Sequence, residues 1–549
     1  MADDTALTPV EGIKARSNFL RGTIVESLAD GATGALAEDD TQLSKFHGFY
    51  QQDDRDIRAE RTRQKLEPTH SFMIRVRVPG GIATAAQWLE MDALARRYAN
   101  NSLRLTTRQA FQFHGVIKRD LKPTIAAINN SLLDTIAACG DVNRNVMCTP
   151  LAERSSVHAA AYETAQAISE RLTPNTSAYH EIWLDKKRVA GSEDSEPIYG
   201  ATYLPRKFKI GVAIPPSNDV DVYSQDLGFI AIQQDGELAG FNVAVGGGMG
   251  RHHGEAETYP RVADVIGFCT PQQVLDVAEQ IVLIQRDNGD RSNRKHARLK
   301  YTIDDKGLDW FKGELRQRLG FALKPPARFI FTSRGDELGW TKDQHGEWHL
   351  TLFVPQGRLV DSDGSRFLSA MAEIARSHTG TFRLTSNQNV IISGVAEPER
   401  AHVEQVLLDH GVKPVEQISP LRQQALACVA LPTCALAMAE AERYLPELTQ
   451  KIELLLDQHG LIDEAISLRI TGCPNGCARP YLAEIALVGK APGQYSLYAG
   501  GSNDGARLNE LTHENVNEAQ ILQILDQWFA EFAARDSGQS FGDFIAGTT

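Results

Sequence analysis

The sequence predicts a mixed α+β (α/β) protein built by duplication, with its two copies packed about a pseudo-two-fold axis. Three observations carry this. The chain of 549 residues is too long for one compact core, so several domains are expected. Runs with strand character alternate with helical patterns. LRLTTRQAFQFHGV (103–116) also returns as FRLTSNQNVIISGV (382–395), with six of thirteen positions identical from Arg104 and Arg383 onward.

In chain order, an acidic N-terminal segment (1–45) leads into QQDDRDIRAERTRQK (51–65), which reads either as a solvated helix or as a partner contact. RVRVPGG (75–81) then matches LFVPQG (352–357) at its Val-Pro-x-Gly step, and each is followed by a helical pattern, AAQWLEMDALARRYA or SRFLSAMAEIARSH. Further on, KFKIGVAIP…GFNVAVGGG (207–248) is paired with YLAEIALVG…YSLYAGG (481–501). Self-similarity at so long a period indicates duplication of a whole architecture, not a short-repeat solenoid.

Composition is that of an ordinary globular chain, 42% hydrophobic and 23% charged. The longest apolar stretch, ALACVALPTCALAMA (425–439), is interrupted by Pro432 and too short to span a bilayer, so no membrane association is expected. Met-Ala-Asp-Asp at the start lacks the pattern of a signal peptide, and seven cysteines are too sparse for a disulfide framework. A cytoplasmic location is the expectation. A net charge of −13 argues against nucleic acid as a partner.

The cations are unevenly spread. Arg75, Arg77, Arg104, Arg108, Arg144, Arg206, Lys207 and Lys209 stand among apolar residues, and RSNRKHARLK (291–300) adds a dense group. In the second copy Arg75 and Arg77 become Thr351 and Phe353, and Arg108, Gln112 and His114 become Asn387, Ile391 and Ser393. If 103–116 is one unbroken strand, Arg104, Thr106, Arg108, Gln112 and His114 share a face. A polar row held by one copy alone points to a multiply charged anionic ligand. NRN (143–145) reads as a short polar turn, and VGGGMG (245–250) as a strand-end turn without dinucleotide spacing. No flavin or nicotinamide fold is evident, so electrons for any redox step must come from a partner.

The second copy carries Cys428-x5-Cys434 and Cys473-x3-Cys477. Four thiolates can hold tetrahedral zinc or an iron–sulfur cluster. The x5 spacing is wider than zinc knuckles use and suits the perimeter of a cluster, though zinc and unrelated buried cysteines stay open on spacing alone. Cys139, Cys148 and Cys269 read as small core hydrophobes. YLPRKFK (203–209) is taken as the first-copy counterpart of the cysteine turn, which sets Lys207 and Lys209 opposite the thiols.

These residues resemble the siroheme-dependent sulfite and nitrite reductases. TGCPNGC with Cys428-x5-Cys434 matches that family's cluster signature, and RLTTRQAFQFHG, DVNRNVMC and YLPRKFK match its siroheme and substrate segments; the likeness runs from about 46 to 544. It implies ferredoxin-like half-domains at 66–132 and 331–415, siroheme- and cluster-binding α/β domains at 133–330 and 416–549, and an N-terminal charged segment at 1–65. It implies a 4Fe–4S cluster on Cys428, Cys434, Cys473 and Cys477, with Cys477 also the proximal ligand of siroheme. Arg75, Arg144, Lys207 and Lys209 fall on sulfite-binding positions. Arg104, Arg108, Gln112, His114, Arg206 and Asn475 fall on siroheme-contacting positions, joined by Arg298 or Lys300, of which Lys300 is taken. Ala478 departs from the glycine common after the last cysteine. The implied reaction is six-electron reduction of sulfite to sulfide in cysteine biosynthesis, fed by an NADPH-oxidising flavoprotein carrying FAD and FMN. The rivals are ferredoxin-fed reduction of nitrite and, from another class, a zinc-stabilised anion-binding scaffold.

Overall fold

A computed structural model describes residues 6–186, 194–535 and 538–548. The first five residues of the N-terminal segment lie outside it. Among the described residues the strands form four sheets.

Two of the sheets belong to the half-domains, and they exchange strands. The first is ordered Phe49–Asp53, His70–Val76, Phe111–Val116, Ser102–Leu105, Arg358–Ser362, Ser365–Arg366; its last two strands come from the second copy. The second is ordered Gly339–Lys342, Trp348–Leu352, Val390–Val395, Thr381–Leu384, Ile82–Thr84; its last strand comes from the first copy. The exchanged strands register Leu359 against Leu103 and Ala83 against Phe382. The matched Val-Pro-x-Gly steps make this possible. Gly81 (φ +81°) and Gly357 (φ +73°) each pass so close to the other copy that a Cβ would lie 2.4 Å from the Leu384 carbonyl and 2.2 Å from the Leu105 carbonyl. Only glycine fits there.

The helices after these strands form where the pattern places them, at Ala85–Tyr98 and Phe367–Ser377. Thr84 and Gln87 make a capping box for the first, which satisfies its leading N–H groups. Its buried face, Trp88, Met91, Leu94 and Ala95, has helical spacing, and Trp88 stacks on Phe382 of the other copy at 4.7 Å.

The segment 103–116 is not one strand. It turns at 106–110, where Thr106 N donates to the Ala110 carbonyl and Gln109 takes a left-handed φ of +48°. Arg104 therefore lies opposite Gln112 across a hairpin, and Arg108 sits at its tip. The second copy repeats the turn, with Gln388 at φ +69°. Each glutamine has a reason to be there: Gln109 Nε2 bonds the Cys148 carbonyl at 2.8 Å, and Gln388 Nε2 bonds the Ala427 carbonyl at 3.1 Å.

The other two sheets share one topology. Met147–Cys148, Ile210–Ala213 and Leu227–Gln234 run parallel, followed by antiparallel Glu237–Val245 and Asp264–Cys269. Leu426–Ala427, Leu468–Thr471 and Ile485–Ala491 run parallel, followed by antiparallel Gln494–Ala499 and Glu510–Val516. This corrects the strand matching read from sequence by one step. The counterpart of Ile210–Ala213 is Leu468–Thr471, so YLPRKFK precedes the strand whose mate the cysteine turn follows. Alternation of small and β-branched residues is much the same in neighbouring parallel strands, which is why the sequence allowed the slip.

The N-terminal segment is built into the first copy. Lys14 is buried, bonded to Glu11 at 2.5 Å and to the Leu204 carbonyl at 2.8 Å. Arg58–Arg63 forms a short helix with no buried residue, which is a solvated helix. Among the described residues no helix is long and apolar enough to cross a membrane.

Candidate active site

The cysteines converge because their strands are parallel neighbours. Leu426 pairs with Arg469 and Ala427 with Ile470, so Cys428 and Cys473 both follow the carboxyl ends of adjacent strands. Burial raises the Cys428 thiol well above its ordinary range, with Cys477, Cys434 and Cys473 adding to it. Cys473 is pushed up to about 11 by burial and then by Cys477. Burial also raises Cys434, again followed by Cys477. Four thiols that repel one another's ionisation stand within one electrostatic neighbourhood. Gly472 N lies 3.3 Å from Cys428 Sγ, and Asn475 Nδ2 lies 3.5 Å from Cys473 Sγ. Backbone N–H groups of Leu436 and Ala437 face Cys434.

Among the described residues no three or more His, Cys, Asp or Glu side chains close around a single ion. The thiols carry N–H donors aimed at sulfur, from Gly472 N to Cys428 and from Asn475 Nδ2 to Cys473. This donor set fits an iron–sulfur cluster.

The cysteine turn is pressed against the glycine-rich turn of the other copy. Arg251 N donates to the Pro474 carbonyl at 3.0 Å. A Cβ on Gly476 (φ +64°) would lie 2.9 Å from the Met249 carbonyl, and one on Gly250 would lie 3.2 Å from the Asn475 carbonyl. Thus 245–250 has a role that its sequence did not disclose: it forms the surface on which Cys473–Cys477 bends.

Facing Cys477 is a row of cations. Lys207 and Lys209 flank buried Phe208, and among the described residues neither ammonium has a hydrogen bond or ion pair. Burial lowers Lys207 to about 7, helped by Arg206 and Arg298, while Cys477 opposes the shift. Lys209 is held well below the ordinary range by burial, then by Lys207, Arg108 and Arg298, again opposed by Cys477. Arg206 falls to about 10 through burial and then Arg294. Arg108 falls to about 9 through burial and then Arg479; it donates to the carbonyls of Asn145 at 2.9 Å and Ile210 at 3.3 Å. Arg144 is buried, with Nε on the Gly140 carbonyl at 2.8 Å. Arg75 contacts Cys139 Sγ at 3.3 Å, and its Nε is buried without a partner. Lys207, Lys209, Arg206 and Arg108, lowered by neighbouring cations and without an ion pair among the described residues, make a receptor for a polyanion. A polycarboxylate macrocycle fits them.

Other predicted residues have different surroundings. Arg104 reaches into the second copy, with Nε 3.0 Å from Glu442 and Nη2 3.0 Å from the Ala427 carbonyl. Glu442 also binds Arg358 at 2.7 Å, and Arg358 donates to His114 Nδ1 at 3.2 Å. Gln112 Nε2 stands 3.2 Å from the opposite ring nitrogen, Nε2. Burial, then Arg358 and Arg104, keep His114 well below its ordinary pKa and therefore neutral.

Lys300, the position taken from the resemblance, faces backbone carbonyls. All its donors are engaged by carbonyls of Gly248 (3.0 Å), Gly250 (2.9 Å) and Tyr259, so it braces the glycine turn. Arg298, the alternative, is bidentate to Asp226 at 2.9 and 2.7 Å and lies among the cations that depress Lys207. Arg77 is likewise paired, to Asp134 at 3.0 and 2.7 Å. The NRN turn is buried rather than exposed, and Asn145 bonds both the N–H and the carbonyl of Val78. Glu442 and Arg358 escaped the sequence reading because Glu442 meets Arg104 across 338 positions and Arg358 meets His114 across 244. Cys139 belongs beside Arg75 and not merely in the core.

The family profile of the nitrite and sulphite reductase 4Fe-4S domain matches residues 163–323, the region holding Lys207 and Lys209 but not the four cysteines. The profile of the nitrite/sulfite reductase ferredoxin-like half domain matches twice, at 63–131 and 341–410. The chain is 59% identical over 540 residues to the sulfite reductase (NADPH) hemoprotein beta-component of Myxococcus xanthus, covering 98% of this chain and 96% of that one. It is 57% identical over 542 residues to the protein of the same name from Xanthomonas campestris, covering 98% and 95%. The solved structure of the Mycobacterium tuberculosis NirA protein superposes with a TM-score of 0.82 at 23% identity, covering 98% and 96%, which is a likeness of fold.

Proposed function

From the premise that the chain belongs to the nitrite and sulphite reductase family, we propose that it is the hemoprotein component of an NADPH-dependent assimilatory sulfite reductase. It reduces sulfite to sulfide by six electrons, using siroheme and a 4Fe–4S cluster. The observation that carries the site assignment is the row of unpaired cations facing Cys477. Cys428, Cys434, Cys473 and Cys477 hold the cluster, and Cys477 also serves siroheme. Arg108, Arg206, Gln112, His114 and Asn475 line the macrocycle, with Arg298 in place of Lys300. Arg104 reaches it as one member of the Glu442–Arg358–His114 chain.

When bound, the siroheme–cluster pair supplies the electron chemistry. The chain supplies charge and protons. Arg75 and Arg144 present fixed donors to the sulfite dianion. Lys207 and Lys209, raised again by the carboxylates of a bound macrocycle, can each hold a proton on Nζ. The three oxygens of sulfite leave as water, and each departure needs protons at that oxygen. An ammonium whose pKa burial and neighbouring cations have lowered releases its proton readily and can be recharged from water. Neutral His114, held through Nδ1 by Arg358, is a positioning group and not the acid.

The name beta-component, carried by the relatives, calls for a companion. The electron donor we propose is an NADPH-oxidising flavoprotein with FAD and FMN, and the setting is the cytoplasm. One measurement tests the reading: purified protein shows a siroheme and cluster absorption spectrum, with iron and labile sulfide. A colourless protein containing zinc would overturn it. Turnover with an artificial reductant favours sulfite; faster nitrite reduction would support the nitrite branch instead.

A further inference from the structure

Arg479 ends the turn that carries Cys473 and Cys477, and its side chain reaches the hairpin tip beside Arg108. In each copy the second parallel strand, Ile210–Ala213 or Leu468–Thr471, leads through a turn into a short 3-10 segment, Val222–Ser224 or Pro480–Leu482. The residue before each segment is left-handed: Asp221 at φ +46° and Arg479 at φ +53°. These two residues are mates under the pseudo-two-fold axis, and they meet. Arg479 Nε donates to Asp221 Oδ2 at 2.5 Å, with both side chains buried. Arg469 also donates to that oxygen at 2.7 Å, and Arg334 approaches Asp221 Oδ1 at 4.0 Å. One carboxylate thus faces three guanidiniums, and the cluster keeps surplus positive charge in the interior.

The remaining donors of Arg479 tie both hairpin tips to this centre. Nη1 donates to the Thr107 carbonyl at 2.9 Å, and Nη2 donates to the Ser386 carbonyl at 2.9 Å. Nη2 also lies 3.4 Å from Asn387 Oδ1. Thr107 Oγ1 in turn donates to the Cys477 carbonyl at 3.2 Å. A closed ring of contacts therefore joins Arg479, the hairpin that carries Arg108, and Cys477.

We propose that Arg479, held by Asp221, is a positioning residue for the cofactor pair: it sets Cys477 against the Arg108 hairpin, and its charge stabilises the reduced, more negative state of the thiolate-bound centre. This rests on the cofactor reading given above. Cluster potentials respond to nearby net charge, and a buried cation acts through low dielectric. A left-handed backbone with a buried, fully engaged arginine is costly unless the side chain is needed there.

The test uses the loaded holoprotein and three variants, measuring iron, labile sulfide, the visible spectrum and the midpoint potential. Arg479→Gly, which suits the positive φ, removes the cation and shifts the potential negative. Asp221→Asn removes the anion and shifts it positive. Arg479→Lys restores most of the Arg479→Gly shift. Packing damage alone would move the first two the same way or not at all, and either result overturns the proposal. Should Asp221→Asn fail to fold, equal potentials in Arg479→Gly and Arg479→Lys would overturn it. If the unaltered protein itself lacks the chromophore, the cofactor reading fails instead.

Discussion

Lys207 separates binding from chemistry more cleanly than any other side chain in the site. Among the described residues it has no hydrogen-bond or ion-pair partner to lose, so Lys207→Met should fold and retain the chromophore, while sulfite turnover falls by about 10²–10⁴-fold if Nζ is a general acid. Normal turnover with an artificial reductant would remove it from the mechanism. Cys477→Ser should fold but fail to assemble the coupled cofactors, read as loss of the visible bands together with iron. Lys207 also makes cofactor loading sensitive to pH. Without the cofactor its pKa lies at about 7, and macrocycle carboxylates raise it. Above about pH 7 loading must then take up a proton, so affinity should decline as pH rises; titrating cofactor-free protein with siroheme checks this, and Lys207→Met should flatten the profile. Lys207 and Cys477 were legible as candidates in the sequence, because cations among apolar neighbours and closely spaced thiols stand out locally. The sequence did not disclose that Lys300 is engaged by carbonyls, since a lysine facing backbone and one facing a ligand look the same in sequence.

At the scale of elements, the strand exchange decides how rigidly the two copies are joined. Gly81 and Gly357 are where each chain crosses to the other sheet, and both have left-handed φ with a carbonyl in the space of a Cβ. Gly81→Ala or Gly357→Ala should cost about 1–3 kcal/mol from backbone strain alone, read as a lower denaturant midpoint. Gly364→Ala, where a Cβ meets nothing within 4 Å, is the control and should leave the midpoint unchanged. The helices and the duplication were legible because amphipathic spacing and repeated motifs are local signals. The break at 106–110 was not, because the polar residues keep alternating through it. The matched pair Gln109 and Gln388 was the signal available: a residue retained in both copies at the point where the chain reverses.

For the molecule as a whole, the N-terminal segment sets an acid limit. His47 is buried between Trp183 Nε1, which donates to its Nδ1 at 3.0 Å, and the Leu20 carbonyl, 2.8 Å from its Nε2. Burial lowers its pKa from 6.5 to about 4, only partly offset by the Leu20 hydrogen bond. A histidine depressed in the folded state binds its proton more readily when unfolded. Stability should therefore fall as pH drops from about 6.5 toward 4. Asp141 behaves as a carboxylate depressed on folding. Despite burial, Arg294, Lys14 and Arg206 hold it at about 2, so its contribution is present above the ordinary carboxylate range and lost as pH falls toward 2. Denaturant unfolding across pH, compared with His47→Gln, should show the upper step missing in the variant.

By itself the sequence determined the duplication, the thiol set and which copy holds the cations, because each is written in neighbouring residues. Only the tertiary structure decided that the half-domains trade strands, that Arg104 reaches Glu442 across 338 positions, and that Asp221 meets Arg479 across 258. Those contacts are set by where parallel strands end and how two copies face one another. No local pattern records such distances along the chain.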